Sequence, residues 1–181
     1  MKKLILLGDS IRMGYGKAVP ELLRDEFVTW QPEENCRFSK YTLRYASFEW
    51  APQIRGSDVI HWNNGLWDVC DLGYGVFTPL EEYVQNMTRL AELLLQMGKR
   101  VIFATTTPVK EDHRYHTNAL TEQYNAQIVP VLRNMGVQIN DLYSFVYPHW
   151  KEWICEDLIH LNDAGIAACA AQIEKVIRSA E

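Results

Sequence analysis

Five short apolar runs, separated by stretches of helical periodicity, constrain this chain more than any other feature of its sequence. The runs are "KLILL" near the N-terminus, "FVTW" (27–30), "DVIHW" (58–62), "RVIFATTTPV" (100–109) and "VQIND" (137–141). Each is of strand length, bounded by turn-forming residues. A helix is expected from about residue 17 in "GKAVPELLRDE", with Pro20 tolerable only in its first turn. The aromatic segment "FSKYTLRYASFEWAPQI" has Tyr41, Tyr45, Phe48 and Ile54 near helical spacing until Pro52 interrupts it. "TPLEEYVQNMTRLAELLLQMG" predicts the clearest helix, with Thr78 as cap, Pro79 first, Glu81 closing a capping box and Gly98 at its end. "NALTEQYNAQIVPVLRNMG" predicts another that stops at Gly136, and a last helix follows Asn162 or Asp163 as its cap. Strand and helix alternate throughout, which implies an α/β protein: a parallel, doubly wound sheet of five strands with helices on both faces. Ligands of such sheets sit outside the carboxyl ends of the strands.

With 181 residues, 48% hydrophobic and 23% charged, one globular domain over 1–181 is expected. A net charge of -5 argues against nucleic acid or an acidic membrane surface as partner. No apolar run approaches the about 20 residues that cross a bilayer. "MKK" before "LILL" imitates the start of a signal peptide, but the apolar run ends after four residues at Gly-Asp-Ser, with no small-residue cleavage site. The segment reads as strand one of a cytoplasmic protein. Cys36, Cys70, Cys155 and Cys169 show no C-x-x-C spacing, so structural thiols are expected rather than a zinc ribbon or a redox pair. His113 and His116 lie three apart, but Glu111 and Asp112 complete no ligand set. An exposed loop is expected there, with no metal and no cofactor.

The carboxyl ends of the strands collect polar groups. Gly8-Asp9-Ser10 follows the first, Asn35 to Thr42 the second, Asn63-Asn64-Gly65 the third and Thr105-Thr106-Thr107-Pro108 the fourth, while "EDLIHLNDAG" lies just before the last helix. "LLGDSIRMGYG" is not a phosphate loop, because Gly8 and Gly14 are one residue too far apart and Tyr15 follows. Nor is it a dinucleotide loop: Val19 stands where the third glycine belongs. Ser10 is left as a nucleophile. A serine hydroxyl needs a base, and the base needs a group that fixes its tautomer. His160 and Asp157, three apart on one turn, can be that pair.

In the order "GDS", "NCRFSKYT", "NNGLWD" and "DLIH", the chain resembles the blocks of the SGNH, or GDSL-type, esterase and lipase family over its whole length. The resemblance implies a three-layer α/β/α, flavodoxin-like fold and ester hydrolysis by serine, histidine and aspartate. By position it makes Ser10 the nucleophile, His160 the base and Asp157 its orienter. It also implies an oxyanion hole built from the serine amide, a second-block glycine and a third-block asparagine. Lys40 stands where that glycine is expected, and its backbone amide can still donate. Aligning the third block on Gly65 and Asp68 puts Trp67 at the asparagine position. Asn63, at the strand end, is the better carboxamide donor, with Asn64 in reserve. Asp9, Asn64, Trp62 and Trp67 are the remaining candidates for substrate contact. The expected activity is cleavage of a small-acyl, acetyl-like ester, with acetylated carbohydrates or small metabolites as candidate substrates, through an acyl-enzyme. A thioesterase or acyltransferase using the same site, or a silent carbohydrate-binding member of the fold, are the alternatives.

Overall fold

Three of the apolar runs become strands buried along most of their length, and the reason is their place in the middle of three layers. A computed structural model describes residues 1–179. Its strands are β1 (Lys2–Leu7), β2 (Phe27–Trp30), β3 (Val59–Trp62), β4 (Val101–Ala104) and β5 (Gln138–Asn140). They pair in parallel in the order β2-β1-β3-β4-β5, the flavodoxin-like order. Alternate side chains leave the sheet on opposite faces. Ile5, Leu7, Ile60, Trp62, Val101 and Phe103 pack under one set of helices: α3 (Ser39–Ser47), α4 (Ala51–Ile54), α5 (Leu80–Met97) and α6 (Asn118–Asn134). Leu4, Leu6, Val59, Ile102 and Ala104 pack under the other: α1 (Ser10–Tyr15), α2 (Ala18–Leu23), α7 (Leu142–Val146) and α9 (Asp163–Arg178). A short α8 (Trp150–Trp153) leads into the turn before α9. No helix among the described residues is long and apolar enough to cross a membrane.

The local differences from the sequence expectation have physical causes. The first helix starts at Ser10, seven residues before the expected start at 17, because the Asp9 carboxylate accepts the Ile11 amide at 3.0 Å and caps it. The chain then breaks at Gly16 and resumes as α2 with Pro20 in its first turn. Pro52 does not simply end the aromatic helix. It opens a second short one, α4, where its missing N–H is harmless. The capping box expected at Thr78 does not form: Pro79 occupies the cap of α5 with no side-chain bond, and Thr78 is buried, its hydroxyl turned to Asp68. β4 ends at Ala104, short of 109, because Thr106 leaves the ladder to exchange bonds with the Asn125 carboxamide at 3.0 Å each way. Of the two candidate caps for α9, Asn162 takes the position, accepting the Gly165 amide at 3.0 Å.

Two neighbouring strands set the position of the site. The pairing of Leu7 with Trp62 ends β1 and β3 level, and the Asn63 amide still donates to the Leu7 carbonyl at 3.1 Å. The chain leaves these two strands in opposite directions across the sheet, so a crevice opens at their carboxyl ends.

Candidate active site

Ser10 stands in that crevice as the first residue of α1, immediately after the buried Asp9. The backbone turns sharply at Gly8, whose φ of 155° and close approach to the Asn63 side chain leave no space for a Cβ. The polar side chains beneath Ser10 are buried and joined by hydrogen bonds, although Asp9 Oδ2 and Arg12 Nε have no partner among the described residues. Asn63 Nδ2 donates to Asp9 Oδ1 at 2.8 Å, and the Tyr15 hydroxyl donates to Asn63 Oδ1 at 3.1 Å. Arg12, 3% exposed, spreads its guanidinium over Gln31 Oε1, the Pro32 carbonyl and the Glu34 carbonyl, at 3.1, 3.1 and 2.6 Å. Burial raises the Asp9 carboxyl above its usual value, against the opposing pull of the Asn63 carboxamide, the Ile11 and Leu66 amides and Arg12.

Asp157 and His160 share a tight turn ahead of α9. His160 Nδ1 lies 2.7 Å from Asp157 Oδ2, and since an ionised carboxylate only accepts, Nδ1 is the donor, which in the neutral imidazole makes Nε2 the acceptor. The other carboxylate oxygen takes the amides of Ile159 and His160, at 3.1 and 3.0 Å. Leu158 adopts the left-handed φ of 70° that this geometry demands. The Cys155 amide closes the turn on the His160 carbonyl at 2.7 Å, and the Lys110 amide ties Leu158 to the facing loop at 2.9 Å. Partial burial pushes the Asp157 carboxyl up, but the His160 amide and imidazole and the Ile159 amide more than offset this and hold it below its usual value.

Ser10 and His160 line the same cavity, of about 420 Å³. Its remaining wall is mostly apolar, with Leu66, Trp67, Cys70, Leu72, Phe77 and Ile159. His113 and His116 close it from the loop after β4. His116 departs from the exposed loop expected for it: it is 7% exposed, and its Nε2 donates to the Leu66 carbonyl at 2.8 Å. Burial lowers its pKa to about 4, so it stays neutral at pH 7.

The other candidates divide between wall and support. Trp67, 42% exposed, lines the cavity. Asp9, Trp62 and Asn64, expected beside it, are completely buried and line none of it. Asn64 accepts from the Trp62 indole at 3.2 Å and donates to the Arg37 carbonyl at 2.9 Å. The Asn63 carboxamide, expected to face the reacting carbonyl, is turned under the nucleophile toward Asp9 and Tyr15, because Asp9 is a buried carboxylate in need of a donor. Lys40 lies in the first turn of α3, sends its ammonium to Glu82 at 2.9 Å and is not part of the cavity wall. What joins the second block to the third is Asp68. Its carboxylate accepts the Ser39 amide at 3.1 and 3.0 Å and the Ser39 hydroxyl at 2.6 Å. Sequence reasoning used Asp68 only as an alignment marker. Burial raises its carboxyl to about 7, against bonds from Ser39 and Thr78.

Fold and site together define a doubly wound α/β protein with a serine at its switch point and an aspartate-held histidine across one cavity. No family model matches the chain. The GDSL esterase/lipase CPRD49 of Arabidopsis thaliana is 31% identical over 124 residues, covering 60% of this chain and 48% of that protein. The GDSL esterase/lipase WDL1 of Oryza sativa subsp. japonica is 26% identical with the same coverage. The chain thus spans about half the length of these curated relatives. Among solved structures, the acetyl xylan esterase AlAXEase superposes with a TM-score of 0.80 at 18% identity, covering 97% of this chain and 99% of that one. A lipase/acylhydrolase from Enterococcus faecalis superposes at 0.82 and 18% identity, over 98% and 95% of the two chains. The chain is thus similar in part of its sequence to GDSL-type esterases and lipases, and over nearly its whole length in fold to an acetyl xylan esterase and a lipase/acylhydrolase.

Proposed function

We propose that the protein hydrolyses small-acyl esters through an acyl-enzyme on Ser10. The observation that carries this is the shared cavity: Ser10 and His160 face one space, and the His160 Nδ1–H is held by Asp157, which leaves Nε2 as the base. In the reaction Ser10 Oγ attacks the ester carbonyl while His160 Nε2 takes its proton, and the Ser10 amide donates to the oxygen on which charge develops. Collapse expels the alcohol, protonated by His160. Water then repeats the sequence and releases the acid. Asp157 keeps the imidazole in the required tautomer and stabilises its charged form. The names of the relatives support ester hydrolysis, and the acetyl xylan esterase neighbours support an acetyl-like acyl group.

A second reading of the substrate is favoured by the cavity wall. Leu66, Trp67, Leu72, Phe77 and Ile159 offer few hydrogen-bonding partners, so a sugar bound against them would leave hydroxyls unpaired. They suit an ester with an apolar group larger than acetyl. Hydrolysis of p-nitrophenyl acetate, p-nitrophenyl hexanoate and acetylated xylo-oligosaccharide, compared by kcat/KM, tests both readings. Turnover of the acetate that vanishes in Ser10→Ala is expected. Highest kcat/KM on the acetylated sugar supports the carbohydrate substrate, and highest on the hexanoate supports the apolar one. Turnover of none of the three by the native protein contradicts the hydrolase reading.

A further inference from the structure

The one asparagine that lines the Ser10 cavity is Asn35, a residue with no role in the reaction as derived so far. It lies between β2 and α3, in a segment pinned on both flanks to the nucleophile's own strand end. On one side Arg12 Nη2 donates to the Glu34 carbonyl at 2.6 Å. On the other the Cys36 amide donates to the Gly8 carbonyl at 3.0 Å, and the Gly8 amide returns a bond to Cys36 Sγ at 3.2 Å. Asn35 Oδ1 is also committed, accepting the Arg37 amide at 2.7 Å across a turn in which Arg37 takes the left-handed φ of 54°. The one polar group of the side chain left without a partner among the described residues is the Nδ2 amide. Neither carboxamide after β3 is placed to replace it: Asn63 donates to Asp9 and Asn64 to the Arg37 carbonyl, both away from the cavity wall.

We infer that Asn35 Nδ2 donates, with the Ser10 amide, to the oxyanion that forms when Ser10 attacks. This rests on the reading of Ser10 as nucleophile. As the Oγ–C bond forms, the carbonyl π pair moves onto oxygen and the serine proton goes to His160 Nε2. Asn35 donates a hydrogen bond to that oxygen without giving up its proton. When the pair returns, the C–O bond to the alcohol breaks and the alcohol leaves with the proton from His160. A preorganised carboxamide donor of this kind supplies about 10²–10³ in kcat in serine hydrolases.

Two variants separate this role from a merely structural one. Asn35→Asp keeps an oxygen for the Arg37 amide and removes the donor, and Asn35→Ala removes both without adding charge. The measurements are kcat and KM on p-nitrophenyl acetate, inhibition by phenylboronic acid, which adds to a serine oxygen as a tetrahedral anion, and the thermal midpoint. Both variants should lose about 10² or more in kcat with KM little changed, and the Ala variant should lose boronate affinity in parallel. Asn35→Asp should melt with the wild type. A kcat within about threefold of wild type in either variant overturns the inference. An Ala variant that loses rate only as it loses stability, while Asn35→Asp keeps its rate, assigns Asn35 to the turn and overturns it equally. Ser10→Ala in the same assay distinguishes the two levels: if it retains turnover, the nucleophile reading has failed, whatever Asn35 does.

Discussion

Ser10 and His160 share a cavity but are held in contrasting ways. Ser10 rests on a buried scaffold contributed by β1, α1 and the segments after β2 and β3, in which Asp9, Arg12 and Asn63 are each 3% exposed or less. His160 sits on a surface turn, its side chain 44% exposed and that of Asp157 49%. Its fixing bonds run almost entirely within residues 154–161 and to the Lys110 amide. One half of the site is therefore part of the core, and the other is a local motif set on the rim. The core half should couple chemistry to folding, whereas the rim half should separate them.

The largest effects sharpen that contrast. Ser10→Ala should lower kcat by about 10³-fold or more, and His160→Gln by a similar factor, since nucleophile and base act as a unit. Circular dichroism and the melting midpoint of His160→Gln should match the wild type, because an exposed turn carries little of the global stability. Asp157→Asn should lose about one to two orders less than His160→Gln in the same steady-state assay. A melting loss in His160→Gln as large as that of a core variant would break the distinction between the two halves.

On the core side, Asn63→Ala leaves Asp9 Oδ1 with only the Ile11 amide and takes the acceptor from the Tyr15 hydroxyl, at about 1–3 kcal/mol of stability by denaturant titration. Its effect on kcat should follow through Ser10 placement and be smaller than that of Asn35→Ala. The opposite order would return the oxyanion role to Asn63.

Asp68, away from the cavity, contributes to stability alone, as a pH slope. Its folded pKa of about 7 lies above the ordinary 3.8, so the folded chain keeps a proton that the unfolded chain gives up between those values. The stability this proton contributes is complete below 3.8 and is lost as pH rises through about 7. Urea titrations at pH 5, 6, 7 and 8 should show stability falling toward pH 8 by up to about 1.4 kcal/mol per pH unit from this group, and Asp68→Asn should flatten that part of the slope. An unchanged slope in Asp68→Asn would show that Asp68 is ionised throughout.

The same division governs what could be read from the sequence. β2 (Phe27–Trp30) was legible to the residue, and α5 and α6 nearly so, because periodicity and length are properties of the segment itself. Ser10, Asp157 and His160 stood out in the sequence because spacing exposes their local chemistry, and the fold brings Ser10 and His160 to one cavity with Asp157 bonded to the histidine. α1 was hidden because six residues are too few for a periodic signal and Gly14 lies inside it. Thr78 reads as a helix cap until Asp68 competes for its hydroxyl, and that competition is tertiary. For the same reason the asparagines could not be sorted. Asn35, Asn63 and Asn64 all follow strand ends, and only the folded chain shows that Asp9 and Arg37 claim the last two.

The central claim is that Ser10 is the nucleophile across the cavity from His160. Treating the protein with a serine-directed fluorophosphonate and mapping the adduct by peptide mass spectrometry tests it most directly. One adduct is expected, on the peptide carrying Gly8-Asp9-Ser10, formed far more slowly in His160→Gln and absent from Ser10→Ala. An adduct on another serine, or ester turnover that survives with Ser10 unlabelled, would contradict it.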